Sequence, residues 1–214
     1  MKKIPTLFVR DPADMSRVTR EVTPGCEWVL AGEGVATVKW DGTSCMIRDG
    51  KLFRRRAYRE GSEPPEDFIE AGRAYDKVQG WVPCWRDVKA DRYHWLAFDQ
   101  PHALRRDCTC ELIGPKVNGN PYGYPKDGEH YLIPHGVDIL LKPGGGVANI
   151  ERTFDATLAC LAEVAIEGLV WHHPDGRMAK IKRRDFGLPW PVDVCKPFNA
   201  ALAAFDTPAP GGEA

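Results

Sequence analysis

A lysine that ends an apolar run and is followed at once by an acid and a glycine is a place where covalent chemistry can be built. Lys39-Trp40-Asp41-Gly42 is such a place. A lysine amine attacks an electrophile only in its neutral form, which burial and neighbouring cations favour. The chain supplies cations at Arg54-Arg55-Arg56 and at Lys180-Ile181-Lys182-Arg183-Arg184. Between and beside them stand Glu111-Leu112-Ile113-Gly114 and Glu167-Gly168-Leu169-Val170. On a strand, residues two apart share a face, so Lys180 and Lys182 project together and Ile181 turns to the core. Two ammonium groups side by side repel, and an anion such as a phosphate would offset them. Taken singly, each piece has a plain explanation: a turn with a solvated lysine, strand-end carboxylates in water, or the charged face of an edge strand. Their joint occurrence in this order is what points to chemistry.

The elements that must position these residues are short strands. Val35-Ala36-Thr37-Val38 is β-branched and reads as a strand, with Gly42 permitting a tight bend after it. Ser44–Arg48 and Lys51–Arg54 flank Asp49-Gly50, a hairpin turn of the type I′ kind. Glu27–Leu30 and Trp95–Phe98 are further strand candidates, and Thr109–Gly114 is a stronger one. Pro64-Pro65 opens a predicted helix through about Val78. Residues 115–128 form a Gly-, Pro- and Asn-dense loop, and Tyr131–Val137 is extended. Gly144-Gly145-Gly146 lacks the Lys-Ser/Thr of a phosphate loop and reads as a flexible connection. Phe154, Leu158, Leu161 and Val164 predict an amphipathic helix, with Thr153 as its cap. Gly168–Trp171 and Met178–Lys182 form a hairpin around Pro174-Asp175-Gly176. The expected fold class is α+β: two antiparallel sheets with flanking helices in one domain over 1–200, then a disordered tail over 201–214.

Composition narrows the partners. Of 214 residues, 43% are hydrophobic and 28% charged, yet the net charge is only −1, so any nucleic-acid partner must be held by a local patch. The 7 cysteines are odd in number and contain no C-x-x-C pair. Cys108 and Cys110 share a strand face, which fits neither a zinc knuckle nor a disulfide framework and suggests reduced, intracellular thiols. The tryptophans near 81–95 read as packing residues. His172-His173 with Asp175 reads as a polar hairpin tip, because adjacent strand histidines face opposite sides. No signal peptide or membrane span is visible. A cytoplasmic monomer is expected.

Together these motifs resemble the covalent nucleotidyltransferases: RNA ligases, ATP-dependent DNA ligases and mRNA capping enzymes. Lys39-Trp40-Asp41-Gly42 is similar to their first motif, Glu111–Gly114 to the third, Glu167–Val170 to the fourth and Lys180-Ile181-Lys182 to the fifth. Small stand-alone RNA ligases resemble it most, because Gly42 is followed by Thr43 and Ser44 where DNA ligases usually carry an arginine at the Ser44 position. About 30 residues follow Lys182, too few for the OB-fold domain that DNA ligases and capping enzymes use.

The resemblance implies a nucleotidyltransferase (ATP-grasp-like ligase) fold without an OB-fold. It implies a lysyl-AMP formed at Lys39 from ATP with Mg²⁺ or Mn²⁺, then AMP transfer to an RNA 5′-phosphate and sealing to a 3′-hydroxyl, a reaction of RNA repair. Lys180 and Lys182 would stabilise the α-phosphate, with Glu167 near the metal and the amine. Asp41 is a second metal candidate. Glu111 would bind ribose hydroxyls, and Tyr131 would stack on the base. Gly42 and backbone carbonyls near Thr37 would border the nucleotide, the latter because Val38 replaces the glutamate that several RNA ligases place before the lysine. Arg54 is assigned to the nucleotide, and Arg55, Arg56, Arg183 and Arg184 to RNA. A GTP-using capping-type or DNA-ligase-like transferase, or a non-catalytic nucleic-acid-binding module, remains the alternative.

Overall fold

The computed structural model describes residues 4–71, 80–88, 91–100, 103–136 and 150–192. They form an α+β structure of antiparallel sheets with few helices, organised as two compact units. Of the described residues, the first unit contains those within Trp40–Asn120 and Tyr124–His135, and the second those within Pro5–Lys39, Pro121–Gly123 and from Gly136 onward.

The first unit holds a six-stranded sheet. Its strands are β4 (Thr43–Arg48), β5 (Lys51–Arg59), β6 (Phe68–Glu70), β7 (Trp81–Asp87), β8 (Cys108–Ile113) and β9 (Tyr131–Pro134), in the order β6-β7-β5-β4-β8-β9. The Asp49-Gly50 hairpin forms as expected, with φ of 51° and 69°, the two left-handed positions that a type I′ turn demands. Strand alternation sorts the sheet into two faces. Cys45, Ile47, Leu52, Cys110, Leu112 and Leu132 line one face, which Ala97 and Phe98 of α2 (Arg92–Phe98) cover. Met46, Phe53, Ile69 and Trp85 cluster on the other.

The second unit holds two sheets, so the described residues contain three sheets where two are expected. β1 (Phe8–Arg10) pairs with β2 (Val18–Val22). β3 (Val35–Lys39), β10 (Gly168–His172) and β11 (Met178–Lys182) pair in the order β11-β10-β3. Its helices are α1 (Glu27–Leu30) and α3 (Phe154–Glu163). In that three-stranded sheet Val38, Leu169 and Ile181 stand side by side, as do Ala36, Trp171 and Ala179, and all six are buried. Leu161 of α3 is buried as well. Phe154 joins Phe8 and Phe186, with ring centroids 5.0 Å from each. Thr153 caps α3 as expected, its hydroxyl accepting from the Ala156 amide at 3.2 Å.

Three elements differ from the sequence reading. Glu27–Leu30 is a single helical turn, held by Ala31 N–H to Glu27 C=O at 3.0 Å. Trp95–Phe98 belongs to helix α2, where burial of His94, Ala97 and Phe98 follows a helical stripe that aromatic content alone disguised as strand. Phe68–Glu70 pairs with β7 as a strand, so the helix expected from Pro64 does not form there. Its remainder over 72–79, the Gly144-Gly145-Gly146 connection and the 201–214 tail lie outside the described residues.

Candidate active site

Backbone register brings the lysines together in the second unit. Gly168 of β10 pairs with Lys39 of β3 on one side and with Lys182 of β11 on the other. One step along, Val170 pairs with Thr37 and with Lys180. Residues directly opposite in antiparallel strands share a face, so Lys39, Lys180 and Lys182 share theirs. Between Lys39 and Lys182 the centre strand carries no side chain. Gly168 is also required locally, since a Cβ there would lie 2.1 Å from the Ile181 carbonyl oxygen.

Lys39 Nζ lies 2.5 Å from Glu167 Oε2, in a pair whose side chains are 25% and 12% exposed. Lys180 has its pKa lowered, first by burial and then by repulsion from Lys39 and Lys182, with Glu167 and Asp185 opposing. Asp185 is itself buried. It accepts from the Lys182 amide at 2.8 Å and pairs with Arg10 at 2.7 Å. The strand carrying Lys180 is not a solvated edge. Lys180 N–H donates to Pro5 C=O at 2.9 Å, and its carbonyl accepts from Leu7 N–H at 2.7 Å, so the backbone is bonded on both sides. Thr37 is buried, with its hydroxyl donating to Val170 C=O at 3.1 Å.

A separate constellation occupies the first unit. Glu111 lies on the Met46 and Phe53 face, and register places Tyr131 and Ile133 there too. Glu111 Oε1 accepts from the Gly42 amide at 3.1 Å, and Oε2 lies 3.0 Å from His135 Nε2. His135 Nδ1 lies 3.0 Å from the Thr109 hydroxyl, which orients the ring. Asn118, at a left-handed φ of 44°, donates to Asp41 Oδ1 at 2.5 Å. Tyr131 packs against Tyr124 with centroids 5.8 Å apart. His135 and Asn118 are supports that no sequence spacing announces, because their partners come from distant elements.

Gly42 serves for a different reason from the one its sequence position suggests. Its φ is not left-handed, and a Cβ would meet the Leu112 carbonyl oxygen at 2.0 Å and Ile113 Cγ2 at 2.9 Å. Close approach of two backbones, more than the bend, requires glycine. Gly42→Ala is expected to cost about 1–3 kcal/mol through overpacking and to loosen the amide that holds Glu111. Denaturant unfolding measures the first effect.

Pleating divides the arginine run. Arg54 shares a face with Cys45, beside α2, and its guanidinium pairs with Asp91, which also lies 2.8 Å from His94 Nδ1. Arg54, expected to meet the nucleotide, therefore stands on the face opposite Glu111. Arg55 takes the Glu111 face, with its guanidinium 5.4 Å above the Trp85 ring. Arg56 is exposed on the Arg54 side. Arg184 is exposed and donates to Trp190 C=O at 2.9 Å.

Arg183, expected to meet RNA, is 4% exposed. It donates to the carbonyls of Leu161, of Val164 at 2.9 Å and of Pro189 at 2.9 Å, closing the C-terminal end of α3. Arg183→Met should lower stability by about 1–3 kcal/mol for each carbonyl left unpaired. Thermal unfolding checks this, and RNA affinity should follow stability alone.

Comparison with known proteins adds the remaining observation. A family model described as RNA ligase 1 matches residues 99–200, a stretch that contains Glu111, Glu167, Lys180 and Lys182 and begins after Lys39. Over this stretch the chain is similar to RNA ligases. It is 43% identical over 166 residues to RNA ligase 1 of Danio rerio, covering 66% of this chain and 48% of that protein. With RNA ligase 1 of Mus musculus it shares 31% identity over 141 residues, covering 54% of this chain and 42% of the relative. The chain thus spans just under half the length of these relatives. Among the described residues no helix is long and apolar enough to cross a membrane.

Proposed function

We propose that this chain is an ATP-dependent RNA ligase acting through a lysyl-AMP intermediate at Lys39, with a nucleotidyltransferase fold. The observation that carries the reading is the lysine constellation: Lys39 beside Glu167, with Lys182 across the bare Gly168 position and Lys180 repelled by both other ammonium groups. Similarity to RNA ligases supports RNA as the substrate class.

Glu167 holds the amine at 2.5 Å and can accept the proton it must lose before attack. Lys39 then attacks the α-phosphorus of ATP, a P–N bond forms and pyrophosphate leaves. The ammonium groups of Lys180 and Lys182 stabilise charge as it develops on the α-phosphate. AMP passes to an RNA 5′-phosphate, and a 3′-hydroxyl displaces it. Glu111, oriented by Gly42 and His135, accepts from ribose hydroxyls, and Tyr131 offers its ring to the base. Among the described residues no group of three or more His, Cys, Asp and Glu side chains is gathered to hold a metal. Glu167 and Asp41 each offer a single carboxylate, which suits Mg²⁺ arriving with nucleotide phosphates. Such an ion would screen phosphate charge. Arg55 and Arg56 are the arginines left for RNA or ribose, with Arg184. A cytoplasmic monomer fits this role.

Incubation with α-labelled ATP and Mg²⁺, followed by denaturing electrophoresis, tests the reading. Label is expected to stay on the protein with ATP, and to be chased by 5′-phosphorylated RNA into a joined product. Label from GTP alone would favour a capping-type transferase, and no label from either would favour a binding module. The arginines separate by the same assay. Arg55→Ala should impair joining of pre-adenylated RNA by about tenfold, on the scale of a lost charge-assisted contact. Arg54→Ala should mainly lower the melting temperature, because it strands Asp91.

A further inference from the structure

Three thiols of the first unit meet across β4 and β8. Cys45 stands opposite Cys110, and Cys108 lies two residues before Cys110 on the same strand face. Cys45 and Cys110 are buried, whereas Cys108 is half-buried beside the exposed Arg106 and Asp107. The neighbouring Cys110 thiol, with help from Arg106 and His135, brings Cys108 down to about 7 from the ordinary 9, against burial and Asp107. Cys110 is pushed up by Cys108, by burial and by Cys45. A reachable, readily ionised thiol two residues from a buried, protonated one on the same strand face is the arrangement in which one sulfur can react with peroxide and the other resolve the product.

We propose that Cys108 and Cys110 form a peroxide-oxidised dithiol that controls the Glu111 arm. The Cys108 thiolate attacks one oxygen of a hydroperoxide, the O–O bond breaks, and hydroxide or alkoxide leaves, giving a sulfenic acid. Cys110 sulfur then attacks the sulfenyl sulfur, and its proton departs with the hydroxyl as water, leaving a disulfide. Two residues of strand span about 6.6 Å, near the upper limit of about 6.8 Å between bridged Cα atoms, so closure must bend β8 at Thr109. Thr109 holds His135 through its hydroxyl and through its carbonyl, each at 3.0 Å, and His135 lies against Glu111. Bending there displaces His135, one of the two partners of that carboxylate. A bridge strained in this way is also readily reduced. The control step rests on the reading of Glu111 as a nucleotide contact, whereas the dithiol itself does not.

The test treats the purified chain with hydrogen peroxide and reads it by mass spectrometry. The peptide containing both cysteines is expected to lose two hydrogens and to regain them with dithiothreitol. Cys110→Ala should instead hold a sulfenic acid at Cys108 that dimedone captures, and Cys108→Ala should give neither product. Absence of both products in the unsubstituted chain and in Cys110→Ala, or equal oxidation of Cys108→Ala, overturns the dithiol. Labelling by ATP should fall at least severalfold on oxidation and return on reduction, but stay constant in Cys108→Ala. A disulfide that forms without changing labelling overturns control of the Glu111 arm. A reduced chain that never labels counts against the proposed ligase activity, while the mass measurement still decides the dithiol.

Discussion

Lys39→Ala is expected to abolish retention of AMP on the protein, by more than about a thousandfold, as when the nucleophile of a covalent enzyme is removed. The residue is an integral member of its sheet, and its ammonium is paired with the largely buried Glu167 carboxylate. Truncation therefore does two things: it removes the nitrogen proposed to attack and it takes a cation from Glu167. Lys180 stays near that carboxylate, so the carboxylate is not left without a cation. A loss of about 1–3 kcal/mol is expected from the unmade charged hydrogen bond. Lys39→Arg separates the two effects. Its guanidinium keeps the charge and can keep the pair, yet stays protonated and does not attack phosphorus. Lys39→Arg should melt near the unsubstituted protein and take no label. Label on either variant, mapped to a different lysine, would remove Lys39 from the chemistry.

Replacing Lys180 or Lys182 with Met should cut adenylation on the order of tenfold to a thousandfold each, the range seen when one preorganised donor is lost. Stability should not fall in parallel. Lys180 is half-buried and repelled by two ammonium groups, so Met in its place keeps the stem and removes a charge that the fold tolerates at a cost. An unchanged or raised melting temperature together with slower labelling is the expected signature. Ile181 supplies the internal comparison. It is fully buried against Leu169, so Ile181→Val should cost about 0.5–1.5 kcal/mol and leave labelling nearly intact. Equal, mild losses at positions 180, 181 and 182 would make the strand a structural edge and move the chemistry elsewhere.

Local chemistry by itself determined a good part of this protein. The Asp49-Gly50 hairpin, the capped helix after Thr153 and the hairpin around Pro174-Asp175-Gly176 are written in short-range patterns, because turn residues and two- or 3.6-residue periods act over a few positions. The placement of Lys180 and Lys182 on one face opposite Ile181 follows from strand period alone. Short-range pattern failed where long-range burial chose the element. Trp95–Phe98 has strand-like residues, yet packs as the helix that covers one face of the six-stranded sheet, and Phe68–Glu70 follows a Pro-Pro start but pairs with β7.

Only the tertiary structure decided which side chains meet. Register set Lys39 and Lys182 on either side of Gly168, and the pairing of Lys39 with Glu167 spans 128 positions of chain. It set Arg54 against Asp91 and Arg55 over Trp85, partners that strand period does not name. It also buried Arg183 under α3 carbonyls, and it made Gly42 indispensable through a carbonyl from β8 and not through its own dihedral angles. The reason is common to all of these. Period and propensity fix the direction of a side chain relative to its own backbone. The identity of what lies in that direction is set by strand order and register, which arise from the cooperative burial of residues far apart in the chain.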